Sequence, residues 1–100
     1  MKIPVRLLPE ARAEFDEAAD WYERRREGLG IEFISQVREV FKSISRNPQQ
    51  HAKVYGDVRK AVLKKFPYVV LYKEDGSQIL VIAVFHTSRD PSIWHTRSNE

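Results

Sequence analysis

The sequence predicts an α+β fold in which an antiparallel helical hairpin packs on one face of a small, mainly antiparallel sheet. Two amphipathic segments near the N-terminus, residues 9–27 and 31–46, predict the helices. Residues 58–86 then contain three apolar segments typical of strands, with Asp75-Gly76 as a hairpin turn. With a short strand before the helices, the element order is β-αα-βββ, which places the chain in the α+β class.

The first strand is expected within residues 1–8, where apolar residues alternate and Pro4 favours a strand start or an edge position. A helix over residues 9–27 can begin at Pro9, because proline is favoured in a first turn. Acidic residues lie early in this segment and Arg24-Arg25-Arg26 lies at its end, which is the arrangement that the helix dipole favours. One face of the helix carries small and aromatic residues that are expected to pack on the core.

A second helix is expected over residues 31–46, between Gly28-Leu29-Gly30 and the helix stop at Asn47-Pro48. The short, glycine-containing connection makes the two helices antiparallel neighbours. Residues 49–57 are expected to form a loop.

Three strands are then predicted, and the third is continuously apolar, as is typical of a strand inside a sheet. The segments are Val58 to Phe66, Tyr68 to Tyr72 and Ile79 to Phe85. Short connections between them predict an antiparallel meander. Residues 87–100 follow as a polar tail.

Length and composition exclude several classes of protein. A single domain over residues 1–100 is too small for a deep catalytic cleft, so activity is expected at a surface. The absence of cysteine excludes disulfides, thiolate zinc sites and cysteine nucleophiles, and is typical of a reducing cytosol. The longest apolar run, Ile79 to Phe85, is far shorter than the ~20 residues that span a bilayer. Together with the lack of a signal-peptide pattern, this predicts a cytoplasmic protein without membrane contact.

The formal net charge of +3 arises entirely in the C-terminal half. Residues 1–50 carry 9 Lys+Arg and 9 Asp+Glu, whereas residues 51–100 carry 8 Lys+Arg and 5 Asp+Glu. The acids of the first helix are spread around it and offset by arginines, which favours a solvated face over a metal or acid–base site. Three scattered histidines are weak evidence for a metal, so neither a metal nor a cofactor is expected.

Basic residues on the strands and tail, with aromatic residues between them, predict a surface that contacts an anion. The anion is either nucleic-acid phosphate or an acidic segment of a protein, and the alternative is a set of solvated lysines on an outer face. Strand alternation is expected to place Lys60 and Lys64 on one face and Arg59 and Lys65 on the other. The candidate target- or nucleic-acid-binding residues are Arg59, Lys60, Lys64, Lys65, Tyr68, Arg89, Trp94 and Arg97.

His86 is the side chain of this region that titrates near neutral pH, so it is the first candidate for catalysis. Cleavage of RNA by its own 2′-hydroxyl needs a general base, a general acid and cations on the phosphate. His86, Arg89, Arg59 and Tyr72 are the candidates for these roles. In the alternative interpretation, His86 hydrogen-bonds the turn that follows and orients it.

The chain resembles the RelE/ParE superfamily, the small toxins of type II toxin–antitoxin modules, and in particular its ParE-like plasmid-stabilisation branch. The resemblance covers essentially the whole chain and rests on the element order and on the spacing of several short segments. These are Trp21-Tyr22, Gly28-Leu29-Gly30 and Phe33, Asn47-Pro48, Val58-Arg59-Lys60, Phe66 to Tyr72, and His86 to Pro91 followed by Trp94 and Arg97.

The resemblance implies a toxin that a co-encoded antitoxin keeps inactive, but it leaves the target open. RelE-like members cut mRNA on the ribosome with strand lysines, to which Lys60 and Lys64 correspond, and with an arginine where this chain has Val69. The cationic cluster expected after the last strand is reduced to His86 and Arg89, and Ile93-Trp94 occupies the place of a tyrosine. ParE-like members act on DNA gyrase without known catalytic residues.

Three functional hypotheses follow. The first is a toxin that works by binding, most simply to DNA gyrase. The second is a ribosome-dependent mRNA endoribonuclease that needs no metal, and the third is a toxin fold that has lost potency and persists as a partner-binding module.

Overall fold

The structure, a computed structural model, describes residues 2–99 and contains one five-stranded sheet with helices on both of its faces. The strands are β1 (Val5–Leu7), β2 (Lys53–Tyr55), β3 (Val58–Val62), β4 (Tyr68–Asp75) and β5 (Gln78–His86). The helices are α1 (Pro9–Arg25), α2 (Leu29–Arg46) and the short α3 (Ser92–His95), with 3₁₀ turns at Pro48–Gln50 and Thr96–Asn99. The strand order is β1-β5-β4-β3-β2, and β1 runs parallel to β5 while all other neighbours are antiparallel. The predicted α+β class is therefore confirmed.

The helical hairpin owes its close packing to Gly30, near the start of α2. A Cβ atom added there would lie 2.5 Å from the carbonyl oxygen of Ala19, so only glycine allows α1 and α2 to approach this closely. The Glu23 carboxylate also accepts hydrogen bonds from the backbone amides of Gly28 and Gly30, both at 2.9 Å. These backbone hydrogen bonds lower the pKa of Glu23. Glu23 thus satisfies amides at the N-terminus of α2 that have no partner within the helix.

An aromatic cluster joins the hairpin to the sheet. Phe33 of α2 is fully buried and lies 5.0 to 5.3 Å, between ring centroids, from the rings of Tyr22, Phe66 and Tyr68. Such tilted and edge-to-face pairs add to the free energy gained by burying the rings. The cluster fixes α1 and α2 over β4, as the amphipathic patterns of both helices predicted.

The expected loop over residues 49–57 is wrong, because it contains strand β2. This strand pairs with β3 through a hairpin at Gly56, whose φ of +54° is a left-handed conformation that favours glycine. All three residues of β2 are exposed, so the strand lacks the apolar alternation by which an edge strand is recognised in a sequence.

The strand predicted from Val58 to Phe66 is also too long, since β3 ends at Val62. The amide of Leu63 donates to the carbonyl of Tyr68 and closes the connection to β4. Lys64 and Lys65 therefore lie in the turn and not in a strand. The expectation that strand alternation places Lys60 and Lys64 on one face and Arg59 and Lys65 on the other is wrong.

The remaining boundaries differ by small amounts. The first helix ends at Arg25 rather than at residue 27, and the second begins at Leu29 rather than at residue 31. Most of the tail predicted over residues 87–100 folds against the sheet as α3 and a 3₁₀ turn. Met1 of the segment 1–8 and Glu100 of the tail lie outside the described residues. Within residues 2–99, no helix is both long and apolar enough to cross a membrane.

Candidate functional site

Two grooves meet at the loop after β5, and His86 and Arg89 line both of them. The helix-side groove, of about 480 Å³, lies where α1 meets the ends of β4 and β5. The open-face groove, of about 340 Å³, lies on the other side of the sheet, between β3 and α3. The helix-side groove is lined by Glu14, Glu17, Ala18, Trp21, Tyr22, Pro67, Tyr68, Val84, His86 and Arg89. The open-face groove is lined by Val54, Lys60, Val69, Leu71, Phe85, His86, Thr87, Arg89, Pro91, Trp94 and His95.

The helix-side groove has aromatic walls. Trp21 is 47% exposed, and the guanidinium carbon of Arg25 lies 4.2 Å from its ring centroid. The half-buried Tyr68 packs against Tyr22 and His86, at centroid distances of 6.1 and 5.1 Å, and burial raises its pKa. The groove therefore offers flat, partly exposed rings to the apolar side chains of a partner.

Glu14 of α1 organises the loop and the tail. Its carboxylate accepts two hydrogen bonds from the Arg97 guanidinium, at 3.0 and 2.9 Å, and one from Arg89 at 3.1 Å. It also accepts the backbone amide of Val84 at 3.2 Å, and Arg97 donates to the carbonyl of Ile82 at 3.0 Å. Strand β1 ends at Leu7, which lies opposite Val81 of β5. Past Val81, the side chains of Glu14 and Arg97 form the hydrogen bonds to the backbone of β5 that a neighbouring strand would otherwise form.

Sequence reasoning missed this role of Glu14. The expectation that the acids of the first helix form a solvated face is wrong at this position, where the side chain is only 12% exposed. In the sequence, Glu14 is one acid among several on an amphipathic helix. Its partners lie about 70 to 80 residues further along the chain, so no local pattern marks it.

His86 is held by the turn that follows it. Its Nδ1 atom accepts the backbone amide of Ser88 at 3.0 Å and lies 2.8 Å from the hydroxyl of the same residue. Among residues 2–99, no carboxylate forms a hydrogen bond or ion pair with the His86 ring. The geometry corresponds to the alternative in which His86 orients the turn.

Two further catalytic candidates are engaged in structural contacts. Tyr72 is fully buried, its hydroxyl donates to the carbonyl of Pro48 at 2.7 Å, and burial raises its pKa to about 12. Arg59 donates to the carbonyl of His51 at 2.6 Å and so ties β3 to the segment before β2. A tyrosine with so high a pKa and a bonded hydroxyl is unsuited to proton transfer near neutral pH.

The predicted binding residues separate into buried and exposed groups. Trp94 and Arg97 are 5% and 9% exposed, since Trp94 packs on the open face of the sheet and Arg97 is bonded to Glu14. Lys60, Lys64 and Lys65 are exposed. The structure therefore brings His86, Arg89 and Lys60 to one groove and leaves Arg59 and Tyr72 outside both grooves. Within residues 2–99, no three His, Asp or Glu side chains converge in a group that could hold a metal ion.

The family described as "ParE toxin of type II toxin-antitoxin system, parDE" matches residues 5–91. The chain belongs to this ParE toxin family, as its resemblance to the ParE-like branch predicted.

A solved structure described as "Chromosomal ParDE TA system from P. aeruginosa" is similar in fold. The two chains superpose with a TM-score of 0.73 at 17% sequence identity, over 87% of this chain and 98% of the other. At this identity the likeness concerns the fold. No curated protein sequence matches the chain significantly.

Proposed function

We propose that this chain is a cytoplasmic toxin that arrests growth by binding DNA gyrase, and that a cognate antitoxin neutralises it. Membership of the ParE toxin family supports this proposal. The observation that carries it is that the catalytic candidates do not converge: Tyr72 and Arg59 donate to backbone carbonyls and lie outside both grooves that His86 and Arg89 line. An RNA-cleaving site needs a general base, a general acid and a cation within reach of the same substrate.

The surface around the loop supports binding rather than proton transfer. A cation is needed beside the scissile phosphate in the RelE-like mechanism, but the corresponding position is Val69, whose side chain is aliphatic and buried. Arg89 stacks on Phe85, with its guanidinium carbon 4.5 Å from the ring centroid, while it is bonded to Glu14. Arg89 is thus held in a fixed orientation at the junction of both grooves, as suits a contact residue.

The helix-side groove is the surface that we assign to the antitoxin. Its exposed Trp21 and half-buried Tyr68 are suited to an amphipathic segment that buries apolar side chains between α1 and the sheet. His86 and Arg89 also line the open-face groove. An antitoxin bound in the helix-side groove therefore makes these two residues less accessible from the open-face groove.

The test is expression of the chain with and without its antitoxin, followed by two assays. We expect growth arrest that the antitoxin relieves, inhibition of DNA supercoiling by purified gyrase, and intact mRNA on ribosomes. The variant Trp21→Ala should weaken the antitoxin complex, whereas Ile31→Ala, at an exposed apolar residue outside the groove, should not.

The ribonuclease hypothesis makes the opposite prediction. It requires mRNA cuts at fixed positions in codons, and these cuts should disappear in His86→Ala while gyrase stays active. That result would overturn the proposal. Absence of growth arrest from folded protein produced without antitoxin would instead support the partner-binding module.

A further inference from the structure

Three exposed side chains of α1 follow one another along the wall of the helix-side groove. Glu17, Trp21 and Arg25 are spaced four residues apart, so they share one face of the helix. Glu17 and Trp21 line the groove, and the Arg25 guanidinium carbon lies 4.2 Å from the Trp21 ring centroid. At a rise of about 1.5 Å per residue, the row is about 12 Å long. These three residues, the α1 row, present an anion, an indole and a cation in that order.

Within residues 2–99, neither charge of the α1 row has an ion-pair partner. The sequence of the helix explains this, because ion pairs on a helix join residues three or four positions apart, as Arg12 and Asp16 do at 3.4 Å. No opposite charge lies three or four residues from Glu17 or from Arg25 in either direction. At the position between them, where such a partner could lie, the helix has Trp21.

The other charged or titratable side chains that line the helix-side groove are engaged within the fold. Glu14 accepts hydrogen bonds from the guanidinium groups of Arg89 and Arg97. Arg89 also lines the groove, and its ion pair with Glu14 measures 3.1 Å. His86 is held by the turn that follows it. Among the residues that line the groove, Glu17 is therefore the carboxylate that has no counter-ion of its own.

A segment that packs on the Trp21 indole removes water from the charges on either side of it. A charge that loses water without meeting an opposite charge raises the free energy of the complex, and a complementary charge offsets this cost. Because Glu17 and Arg25 have opposite signs, a segment that runs in the wrong direction brings like charges together at both ends of the α1 row. The row can therefore discriminate both between partners and between the two directions of one partner.

We propose that the α1 row selects and orients the antitoxin. The antitoxin segment that packs on Trp21 presents a basic side chain to Glu17 and an acidic side chain to Arg25, with an apolar side chain between them. This inference rests on the proposed function in one respect, that the antitoxin occupies the helix-side groove, and it is independent of the target of the toxin. Complementary charges of this kind contribute to specificity more than to affinity.

The direct test measures the affinity of the full chain for its co-encoded antitoxin at about 50 and about 300 mM salt. Glu17→Gln and Arg25→Gln should each weaken binding about fivefold at the lower salt concentration. Glu17→Lys should weaken it about 25-fold, because reversal changes the charge by twice as much as removal. All three losses should shrink at the higher salt concentration, since salt screens exposed charges. Affinities equal to that of the wild type at low salt would overturn the proposal.

Asp20→Lys and Arg38→Glu are the matched controls for Glu17→Lys and Arg25→Glu. Asp20 is exposed on α1 and Arg38 is exposed on α2, and neither residue lines the helix-side groove. The controls change the net charge by the same amounts and should leave the affinity almost unchanged. Circular dichroism should be alike for all variants, since substitutions at the surface have small effects on stability. Equal losses in controls and test variants would indicate a general effect of net charge and contradict the role of the row.

A selection for binding tests the pairing of charges. A library of antitoxin variants is screened by surface display against Glu17→Lys and, separately, against Arg25→Glu. Variants that restore binding to Glu17→Lys should replace a basic residue by an acidic one. Variants that restore binding to Arg25→Glu should replace an acidic residue by a basic one at a second position. Restored binding without a change of charge, or one position that restores both, would contradict the proposal.

Two further measurements separate the α1 row from the proposed function. If Trp21→Ala weakens the antitoxin complex while Glu17→Lys and Arg25→Glu bind like the wild type, the antitoxin occupies the groove without contacting its charges, and only the role of the row is wrong. If the selection returns the expected exchanges of charge but the purified chain leaves gyrase active, the role of the row stands and the assigned target is wrong.

Discussion

The helical hairpin and the sheet with its tail use their charged residues differently. In the hairpin, ions pair with each other over short sequence distances on the surface, as in Arg12 with Asp16 at 3.4 Å and Lys42 with Glu39 at 3.5 Å. In the sheet and tail, besides the surface pair of Lys53 with Asp57, cations donate to backbone carbonyls. Arg59 bonds the carbonyl of His51, eight residues away, and Lys73 bonds that of Ser98, 25 residues away, at 2.5 Å.

The difference shows that the basic excess of the C-terminal half is only partly available to a partner. Arg59, Lys73 and Arg97 fix loops and the tail, and exposed pairs such as those of the hairpin add little to stability. Lys60, Lys64 and Lys65 remain as exposed charge. Net charge alone therefore overstates the cationic surface of this chain.

The largest expected effect comes from Glu14→Ala, which removes the link between the two regions. Arg97 and the amide of Val84 lose their partner in a nearly buried position, so we expect the free energy of unfolding to fall by about 3 kcal/mol. Urea unfolding measures this loss. Hydrogen exchange of residues 92–99 should rise together with it, because the tail depends on Arg97.

Glu17→Ala is the control for Glu14→Ala, since Glu17 is an exposed acid on the same helix. Its effect should stay within about 0.5 kcal/mol. Similar losses in both variants would show that Glu14 contributes only general charge, and the linking role assigned to it would be wrong.

The next effect tests the packing of the hairpin itself. Gly30→Ala places a methyl group against the carbonyl of Ala19 and the side chain of Glu23, so α1 and α2 must separate. We expect a loss of about 2 kcal/mol in urea unfolding, the range found for overpacked cores. Ser35→Ala, at an exposed position of the same helix, should change stability by less than about 0.5 kcal/mol.

Tyr72→Phe tests a buried hydrogen bond of the sheet region. The change keeps the ring but leaves the carbonyl of Pro48 without its donor, which should cost about 1 kcal/mol in thermal or urea unfolding. Tyr55→Phe, in which the lost hydroxyl belongs to an exposed residue, should have almost no effect. Toxicity that persists in Tyr72→Phe would also separate this residue from catalysis.

The smallest effect is expected for the surface pairs of the hairpin. Arg12→Ala removes the pair with Asp16, in which both side chains are more than half exposed, and should cost at most about 0.5 kcal/mol. The loss should shrink further as salt is raised, because salt screens exposed charges. A loss comparable to that of Glu14→Ala would contradict the distinction drawn between the two regions.

Much of the fold could be predicted from the sequence, because its signals are local. Apolar spacing identified both long helices, and β-branched segments with an Asp-Gly turn identified β4 and β5. Strand β2 escaped detection since its three residues are exposed, and β3 was overextended because Leu63 and Phe66 are buried without being part of a strand. Burial and strand pairing coincide in most of this sheet, but not at that turn.

The candidate site was predictable only in part. The sequence indicated that His86, Arg89 and Lys60 belong to one surface, and all three line the open-face groove. It could not separate them from Arg59, Tyr72 and Arg97, which have the same chemistry but donate hydrogen bonds inside the fold. Whether a side chain is free to contact a ligand depends on its neighbours in the folded protein, and the residue type alone does not predict those neighbours.

By itself, the sequence determined the class of fold, the order of its main elements, the toxin family and the half of the chain that carries the positive charge. These properties follow from residue types at short spacings. Only the tertiary structure decided that Glu14 joins α1 to the tail and that the loop with His86 and Arg89 divides two grooves of different charge. The reason is physical: such contacts join residues about 70 to 80 positions apart, and their geometry exists only once the sheet has brought those residues together.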